Sequence, residues 1–193
     1  MSLSFKAEVP VFDANVGIGH VVDNPCPFEQ PEQLLEEMFR HGVERALLYH
    51  RLGEKISAFE GNELLMKWTD EAGPFSYQWV ASPDPHTFKQ LQDLRDDGKV
   101  TSVRLHAIQQ YVPLLDWIYG DLFEWIQAEQ IPLWISLPDT PTAELVAILK
   151  EFPRLKVVFV GAHYVDAMLV RPLLKNVAGS YLELSRYEVL GEL

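Results

Sequence analysis

Polar residues two positions apart stand at the ends of three apolar segments of the chain: Asp13 and Asn15, Arg104 and His106, and Glu183 and Ser185. Residues two apart share one face of a β-strand, so the members of each pair can point into one cavity. Carboxylate, imidazole and guanidinium groups are costly to bury unless they pair, bind a metal ion or line a wet pocket. The spacing therefore predicts one convergent polar site where these segments end.

Histidine is the side chain best suited to acid–base chemistry near neutral pH. Three of the six histidines follow apolar segments: His50, His106 and His163. Polar residues are also expected at strand ends for a simpler reason, because the chain emerges into solvent there. The shared parity of the pairs favours a pocket over that alternative.

Seven short apolar segments, rich in Val, Leu, Tyr and Trp, recur along the chain and mostly lack polar alternation. This pattern is typical of strands that are buried on both faces of a parallel sheet. The predicted strands are residues 9–15, 44–50, 75–82, 100–106, 131–137, 155–161 and 180–185.

Segments of helical periodicity separate these strands, at residues 31–42, 56–72, 85–97, 121–129, 142–152 and 165–175. The alternation predicts βαβ units joined by right-handed crossovers. An open doubly wound parallel sheet accommodates seven strands, whereas a (β/α)₈ barrel requires eight. The strand count alone therefore favours the open sheet.

Composition limits the class of protein. The 193 residues are 48% hydrophobic and 23% charged, which is typical of one globular domain over residues 1–193. A net charge of −12 argues against nucleic-acid binding, and no apolar run is long enough for a membrane span. The single cysteine, Cys26, cannot form an internal disulfide. We therefore expect a cytoplasmic protein that binds neither nucleic acid nor membranes.

Segments along almost the whole chain resemble the amidohydrolase-related family of metal-dependent hydrolases, in the branch called amidohydrolase 2. They are Asp-x-Asn at 13–15, the strand at 44–50, Gly-Asn at 61–62, Val-Arg-Leu-His at 103–106, and the segment 156–163 that ends in His163. The resemblance implies a (β/α)₈ TIM-barrel-like fold with about seven βα units and the last unit missing. It thereby reverses the conclusion from the strand count.

The resemblance also implies a divalent metal ion, with zinc the expected one. The family's first strand ordinarily supplies two histidines in an Asp-x-His-x-His pattern, and those positions hold Asn15 and Gly17 here. Asp13 and His163 remain as the predicted metal ligands. A substitute set would use the histidines that follow even-numbered strands, which lie in one layer of a barrel: His50, His106 and His163.

Family members hydrolyse or decarboxylate small molecules, so the resemblance implies a small carboxylate or ester-like substrate. In a metal-free version His106 or His163 would be the general base, and Arg104 would bind the substrate carboxylate through two parallel hydrogen bonds. The predicted substrate-binding residues are Asn15, His50 and Glu183. The alternative is a non-catalytic barrel that binds a small ligand or a partner, because both first-strand histidines are absent.

A barrel without its eighth strand has two open edges. The first and seventh strands would then expose unpaired backbone N–H and C=O groups. The apolar helix faces meant to cover that sector would also be open to water. We therefore expect a homo-oligomer in which a second copy covers the open edge.

Overall fold

The computed structural model describes residues 8–21, 26, 28–69, 73–107, 109 and 111–187. Seven parallel strands form one sheet in the order of the sequence. They are β1 (Val11–Ile18), β2 (Val43–His50), β3 (Phe75–Val80), β4 (Ser102–Leu105), β5 (Leu133–Ser136), β6 (Val157–Val160) and β7 (Ser180–Leu182). A doubly wound sheet reverses its strand order at a switch point, and this sheet does not. The expected incomplete TIM barrel is therefore confirmed, and the open doubly wound sheet is excluded.

Helices connect the strands. They are α1 (Pro31–His41), α2 (Arg51–Lys55), α3 (Ala58–Thr69), α4 (Pro85–Asp96), α5 (Asp116–Ala128), α6 (Thr142–Glu151) and α7 (Ala167–Asn176), with a 3₁₀ turn at Tyr164–Asp166. In the described part of the chain, no helix is long and apolar enough to cross a membrane.

Local signals set most of these boundaries as predicted. The first helix ends at Gly42, whose φ of 71° is the left-handed conformation that favours glycine. The Asp84 carboxylate caps α4 by accepting hydrogen bonds from the N–H groups of His86 and Thr87. Some predictions differ from the structure: β1 extends to Ile18 rather than ending at residue 15, α5 begins at Asp116 rather than at residue 121, and the short helix α2 was not predicted. Residues 70–72 of the predicted helix 56–72 lie outside the described residues.

The sheet is curled, so its concave face forms the inside of a partial barrel. Asn15 on β1 accepts a 2.7 Å hydrogen bond from Arg104 on β4. In a flat sheet these strands would lie about 14 Å apart, three strand spacings of about 4.8 Å. Leu47 and Trp134, on β2 and β5, also belong to one buried cluster on this face.

The main hydrophobic core lies on the convex face, between the sheet and the helices. Strand residues with side chains there are fully buried, among them Trp79, Val103, Leu105 and Phe159. Val103 and Leu105 thus point towards the helices. Because their neighbours along the strand point the other way, Arg104 and His106 are directed to the concave side.

Candidate functional site

Three potential metal ligands converge at the carboxyl end of the sheet: Glu54, His106 and Asp139. His106 Nδ1 lies 3.2 Å from Asp139 Oδ2 and 3.7 Å from Glu54 Oε1. The His106 side chain is 4% exposed, and the two carboxylates are 18% and 16% exposed. The imidazole is therefore buried, while the carboxylates keep access to solvent at the mouth. We call these three residues the mouth cluster.

Each member of the mouth cluster comes from a different βα unit. His106 directly follows β4, Asp139 lies in the turn after β5, and Glu54 lies on α2, which begins where β2 ends. The backbone of Gly53 packs closely against Gly61 of α3 and against the Val80 side chain, and a Cβ at either glycine would collide there. Two glycines thus allow α2 to lie close over the sheet, and this brings Glu54 to the mouth.

Asp139 is held in place by hydrogen bonds to both carboxylate oxygens. Ser136 Oγ donates to Oδ2 at 2.7 Å, and Gln109 Nε2 donates to Oδ1 at 2.9 Å. The hydrogen bond with His106, together with these two donors, holds the pKa of Asp139 well below its usual range. Asp139 is therefore an ionised acceptor at neutral pH, as a metal ligand or an orienting carboxylate must be.

Arg104 is a buried cation beneath the mouth cluster, 2% exposed. Its Nη2 donates to Asn15 Oδ1, and its guanidinium lies 3.7 Å from the centre of the Tyr49 ring. Burial lowers its pKa, while Tyr49, Glu54 and Glu183 oppose that change electrostatically. Among the described residues, its Nε and Nη1 atoms have no hydrogen-bond partner. An arginine with free N–H donors in such a place is suited to bind an anion.

Tyr49 lies next to Arg104 and interacts electrostatically with Glu54. Its ring lies on the Arg104 guanidinium, and the Glu54 carboxylate helps to raise the pKa of its phenol. Burial raises the pKa of the Tyr49 phenol, so the hydroxyl is a neutral donor at physiological pH.

The prediction that Asp13 and Asn15 point into the same cavity was wrong. Asp13 pairs with Ala46 and Val16 pairs with Leu48, so β1 contains one residue more than β2 between these two pairs. Such a bulge changes the face to which side chains point. Asn15 reaches Arg104, whereas Asp13 is exposed and lines a cavity beside α1.

His50 and His163 have local structural roles. His50 shares the parity of Ala46 and Leu48, which belong to the convex core, and its Nδ1 accepts a 3.2 Å hydrogen bond from the N–H of Leu52. It is thus the N-cap of α2. His163 is exposed with its ring against Tyr164, at 4.3 Å between centroids. Among the described residues the metal-capable group includes neither histidine, nor Asp13.

Of the other predicted residues, Arg104, His106 and Asn15 converge, whereas Ser185 is exposed. Arg104 and His106 both face the concave side, and Asn15 binds Arg104 directly. Glu183 is half-buried and acts electrostatically on Arg104, while its Oε1 accepts a 2.6 Å hydrogen bond from the N–H of Ser185.

Sequence reasoning missed Glu54, Asp139 and Tyr49. Asp139 carried a usable signal, because it follows a predicted strand within a Pro-Asp turn. Glu54 had none, since its position depends on a short helix without clear periodicity. Tyr49 has the parity of the concave face, one residue before His50.

The mouth cluster fits a divalent transition metal. It offers one imidazole nitrogen and two carboxylates, with all ligand atoms within 4.8 Å of one another. Zinc and manganese accept such mixed nitrogen and oxygen ligands, and three protein ligands leave a position open for water or substrate. A metal ion would thus find suitable residues here, at other positions than those that the sequence resemblance implied.

Solved structures similar to this chain are TIM-barrel proteins. An uncharacterized TIM-barrel protein from Bordetella bronchiseptica aligns with a TM-score of 0.57 and 17% identity, over 79% of this chain and 58% of that protein. A protein described as an amidohydrolase II aligns with a TM-score of 0.62 and 13% identity, over 89% and 77%. A 4-oxalomesaconate hydratase from Rhodopseudomonas palustris aligns with a TM-score of 0.58 and 21% identity, over 81% and 59%.

These likenesses establish the fold. The chain spans 58% of the length of the Bordetella protein. No protein-family model and no curated protein matches the sequence. The chain therefore has the fold of a partial TIM barrel, with seven consecutive parallel strands and its polar site at their carboxyl ends.

Proposed function

We propose that the chain carries a metal-dependent enzyme of the hydrolase or decarboxylase type, acting on a small carboxylate substrate. The observation that carries the proposal is the buried His106, which lies between Glu54 and Asp139 and two residues beyond Arg104. Two residues along a strand span about 7 Å, which is the scale of a small organic acid. A carboxylate at Arg104 would therefore place its remaining atoms near the mouth cluster.

The residues of the mouth cluster have separate tasks in this proposal. Glu54, His106 and Asp139 hold the ion, and Ser136 and Gln109 fix the Asp139 carboxylate. A bound zinc or manganese ion would polarise a carbonyl group and lower the pKa of a water molecule.

Arg104 supplies the charge that selects an anionic substrate. Asn15 holds one side of the guanidinium, and the Nε and Nη1 donors have no hydrogen-bond partner in the described part of the chain. These donors are enclosed, so a carboxylate reaches them only when a neighbouring side chain such as Tyr49 shifts.

A metal-free mechanism is the second candidate, favoured by one feature of His106. Its Nδ1 lies 3.2 Å from Asp139, and its Nε2 has no partner among the described residues. Donation from Nδ1–H to Asp139 would leave Nε2 as the basic nitrogen, in the manner of a histidine–aspartate pair. His106 would then take the proton from water or substrate.

Elemental analysis of the purified protein tests the first candidate. We expect about one zinc, manganese, iron or nickel ion per chain after incubation with each metal. Glu54→Gln should lower the occupancy strongly, whereas Glu60→Gln, on the exposed face of α3, should leave it unchanged. A screen of small esters, lactones and β-keto acids follows on the same samples.

The outcomes separate the alternatives. Metal-dependent turnover supports the first candidate, and turnover without metal that His106→Gln abolishes supports the second. Binding of carboxylates without turnover of any class would identify a non-catalytic barrel and contradict both.

A further inference from the structure

Arg104 carries a buried positive charge that is held by a neutral hydrogen-bond partner. The residue is 2% exposed, and its Nη2 donates a 2.7 Å hydrogen bond to the amide oxygen of Asn15. Its Nε and Nη1 donors have no hydrogen-bond partner among the described residues. A buried charge is costly unless a partner stabilises it, and the strongest partner of an arginine is a carboxylate. An amide leaves the positive charge in place, so the guanidinium can still attract an anion.

An aromatic ring lies on the face of this guanidinium. Cζ of Arg104 is 3.7 Å from the centre of the Tyr49 ring on β2 and 5.8 Å from the centre of the Trp134 ring on β5. Cation–π attraction extends to about 6 Å and strengthens when the pair is removed from water, so the Tyr49 contact is the closer and stronger of the two. Burial raises the pKa of the Tyr49 phenol, which is therefore uncharged at neutral pH. The ring thus attracts the guanidinium and does not neutralise it.

This stacking is compatible with the binding of a carboxylate. A guanidinium is planar, and its N–H groups point outward within that plane. The Tyr49 ring lies on the face of the plane, whereas Asn15 takes a donor at its edge. A carboxylate also binds at the edge. The side-chain shift that admits it can therefore leave the ring in contact with Arg104.

Gly17 on β1 gives the Tyr49 ring its space. The two residues pair in register on neighbouring strands. A Cβ at position 17 would lie 2.9 Å from the Tyr49 hydroxyl oxygen and 3.0 Å from Cζ of the same ring. Such contacts are too short to persist, so an alanine there would displace the ring. The position of Tyr49 on Arg104 therefore depends on the glycine.

We propose that Tyr49 is a positioning residue whose ring, rather than its hydroxyl, holds the Arg104 guanidinium ready for a substrate carboxylate. The ring fixes the plane of the guanidinium, and the Asn15 amide fixes its rotation within that plane. Because both groups are neutral, the full positive charge remains for the substrate. The inference rests on the proposed function, in which Arg104 binds the carboxylate of the substrate.

Two variants of Tyr49 separate the ring from the hydroxyl. Tyr49→Phe keeps the ring and should bind malonate with wild-type affinity. Tyr49→Leu keeps an apolar side chain without a ring, and its affinity should fall roughly 10-fold because the cation–π contact is lost. Isothermal titration calorimetry with malonate measures both. Equal affinities of Tyr49→Leu and the wild type, or an equal loss in both variants, would contradict a role of the ring.

A second pair of variants leaves Tyr49 itself intact. Gly17→Ala should displace the ring and weaken malonate binding as Tyr49→Leu does. Gly120→Ala is the matched control, because a Cβ at this position of α5 meets no atom within 4 Å. It should leave the affinity for malonate unchanged. An unchanged affinity in Gly17→Ala would contradict the proposal.

A spectroscopic measurement needs no ligand. A proton above an aromatic ring resonates upfield, so the Nε–H proton of Arg104 reports the contact with Tyr49. This signal, assigned with Arg104→Gln, should move downfield in Tyr49→Leu and Gly17→Ala and stay close to its wild-type position in Tyr49→Phe and Gly120→Ala. A signal that stays in place in all four variants overturns the proposal.

The measurements also distinguish this inference from the proposed function. If Arg104→Gln abolishes malonate binding while Tyr49→Leu changes neither readout, the anion site stands and the role of Tyr49 falls. If the wild-type protein binds no small carboxylate, the proposed role of Arg104 in substrate binding falls. The Arg104 signal alone then decides whether Tyr49 positions the guanidinium.

Discussion

Ser136 Oγ donates its 2.7 Å hydrogen bond to Asp139 Oδ2, the same carboxylate oxygen that lies 3.2 Å from His106. The last residue of β5 therefore aims the carboxylate of the following turn at the mouth cluster. Ser136→Ala removes this bond while adding no bulk. We expect metal affinity to fall roughly 10-fold, as for other supporting hydrogen bonds of metal ligands. Competition with a chromophoric chelator measures this affinity.

Ser102→Ala is the matched control for that variant, because Ser102 is also a buried serine of the sheet but is bonded to Gln78 at 3.1 Å. Equal affinities of the two variants and the wild type would show that Ser136 does not support the ligand.

Small dicarboxylates such as malonate should stabilise the protein through Arg104. We expect a rise in melting temperature that increases with concentration, since a ligand that binds only the folded state stabilises it. Arg104→Gln should abolish the rise, whereas Arg154→Gln, at an exposed position, should keep it. Differential scanning fluorimetry measures the effect, and a rise that persists in Arg104→Gln contradicts anion binding there.

The stability should depend on pH through His50. Burial lowers the pKa of His50 in the folded state to about 4 from its ordinary value of 6.5. The unfolded chain therefore binds the proton more readily, and the contribution of neutral His50 is present above pH 6.5 and lost as the pH falls towards 4. His50→Asn keeps an acceptor that can cap the helix and does not titrate. The variant should therefore lose less stability than the wild type as the pH falls from 6.5 towards 4.

Urea unfolding at several values between pH 7 and pH 4 provides that measurement. His20→Asn, at an exposed position, is the control and should keep the wild-type pH dependence. If the free energy of unfolding depends on pH in the same way in His50→Asn and in the wild type, His50 is not a buried neutral histidine.

Some residues of the site could be predicted from the sequence, and others could not. Arg104, His106 and Asn15 were found because strand-end position and parity decide where such side chains point. The prediction for Asp13 was wrong because one extra residue in β1 turns its side chain to the other face of the sheet. Nothing in the sequence predicted that bulge. The alternation of strands and helices predicted the elements, whereas their consecutive order in the sheet depends on long-range packing.

Glu54 illustrates the other limit. Its position depends on the backbone contact between Gly53 and Gly61, which joins α2 to α3. The sequence shows two glycines there but not that they touch. Helix α2 has only five residues, too few for a hydrophobic periodicity to predict it.

Asn62 should be a strong determinant of stability. This buried side chain accepts from the N–H of Val80 and donates to the Val80 carbonyl, at 2.9 and 3.0 Å. Asn62→Ala would leave both backbone groups without this partner, at a cost of roughly 3 kcal/mol in the free energy of unfolding. Asn176→Ala, at the exposed end of α7, is the control. A loss below about 1 kcal/mol in chemical denaturation would contradict this role.

Exposed apolar side chains stand on both edge strands of the sheet. Phe12 on β1 is 49% exposed, and Tyr181 on β7 is 62% exposed. We propose that a second copy covers these edges, so light scattering at micromolar concentration should give a dimer or a larger species. Tyr181→Lys should shift it towards the monomer. A wild-type monomer at every concentration would contradict the expectation.

The consecutive strand order also has a kinetic consequence. Most pairing in this sheet joins neighbouring segments, and His106 and Asp139 of the mouth cluster are separated by only 33 positions. The bond between Asn15 and Arg104 spans 89 positions, and it forms only when the sheet has curled. Long loops close late during folding. His106 and Asp139 can thus meet while the sheet is still open, whereas we expect Arg104 to acquire its anchor on β1 late in folding.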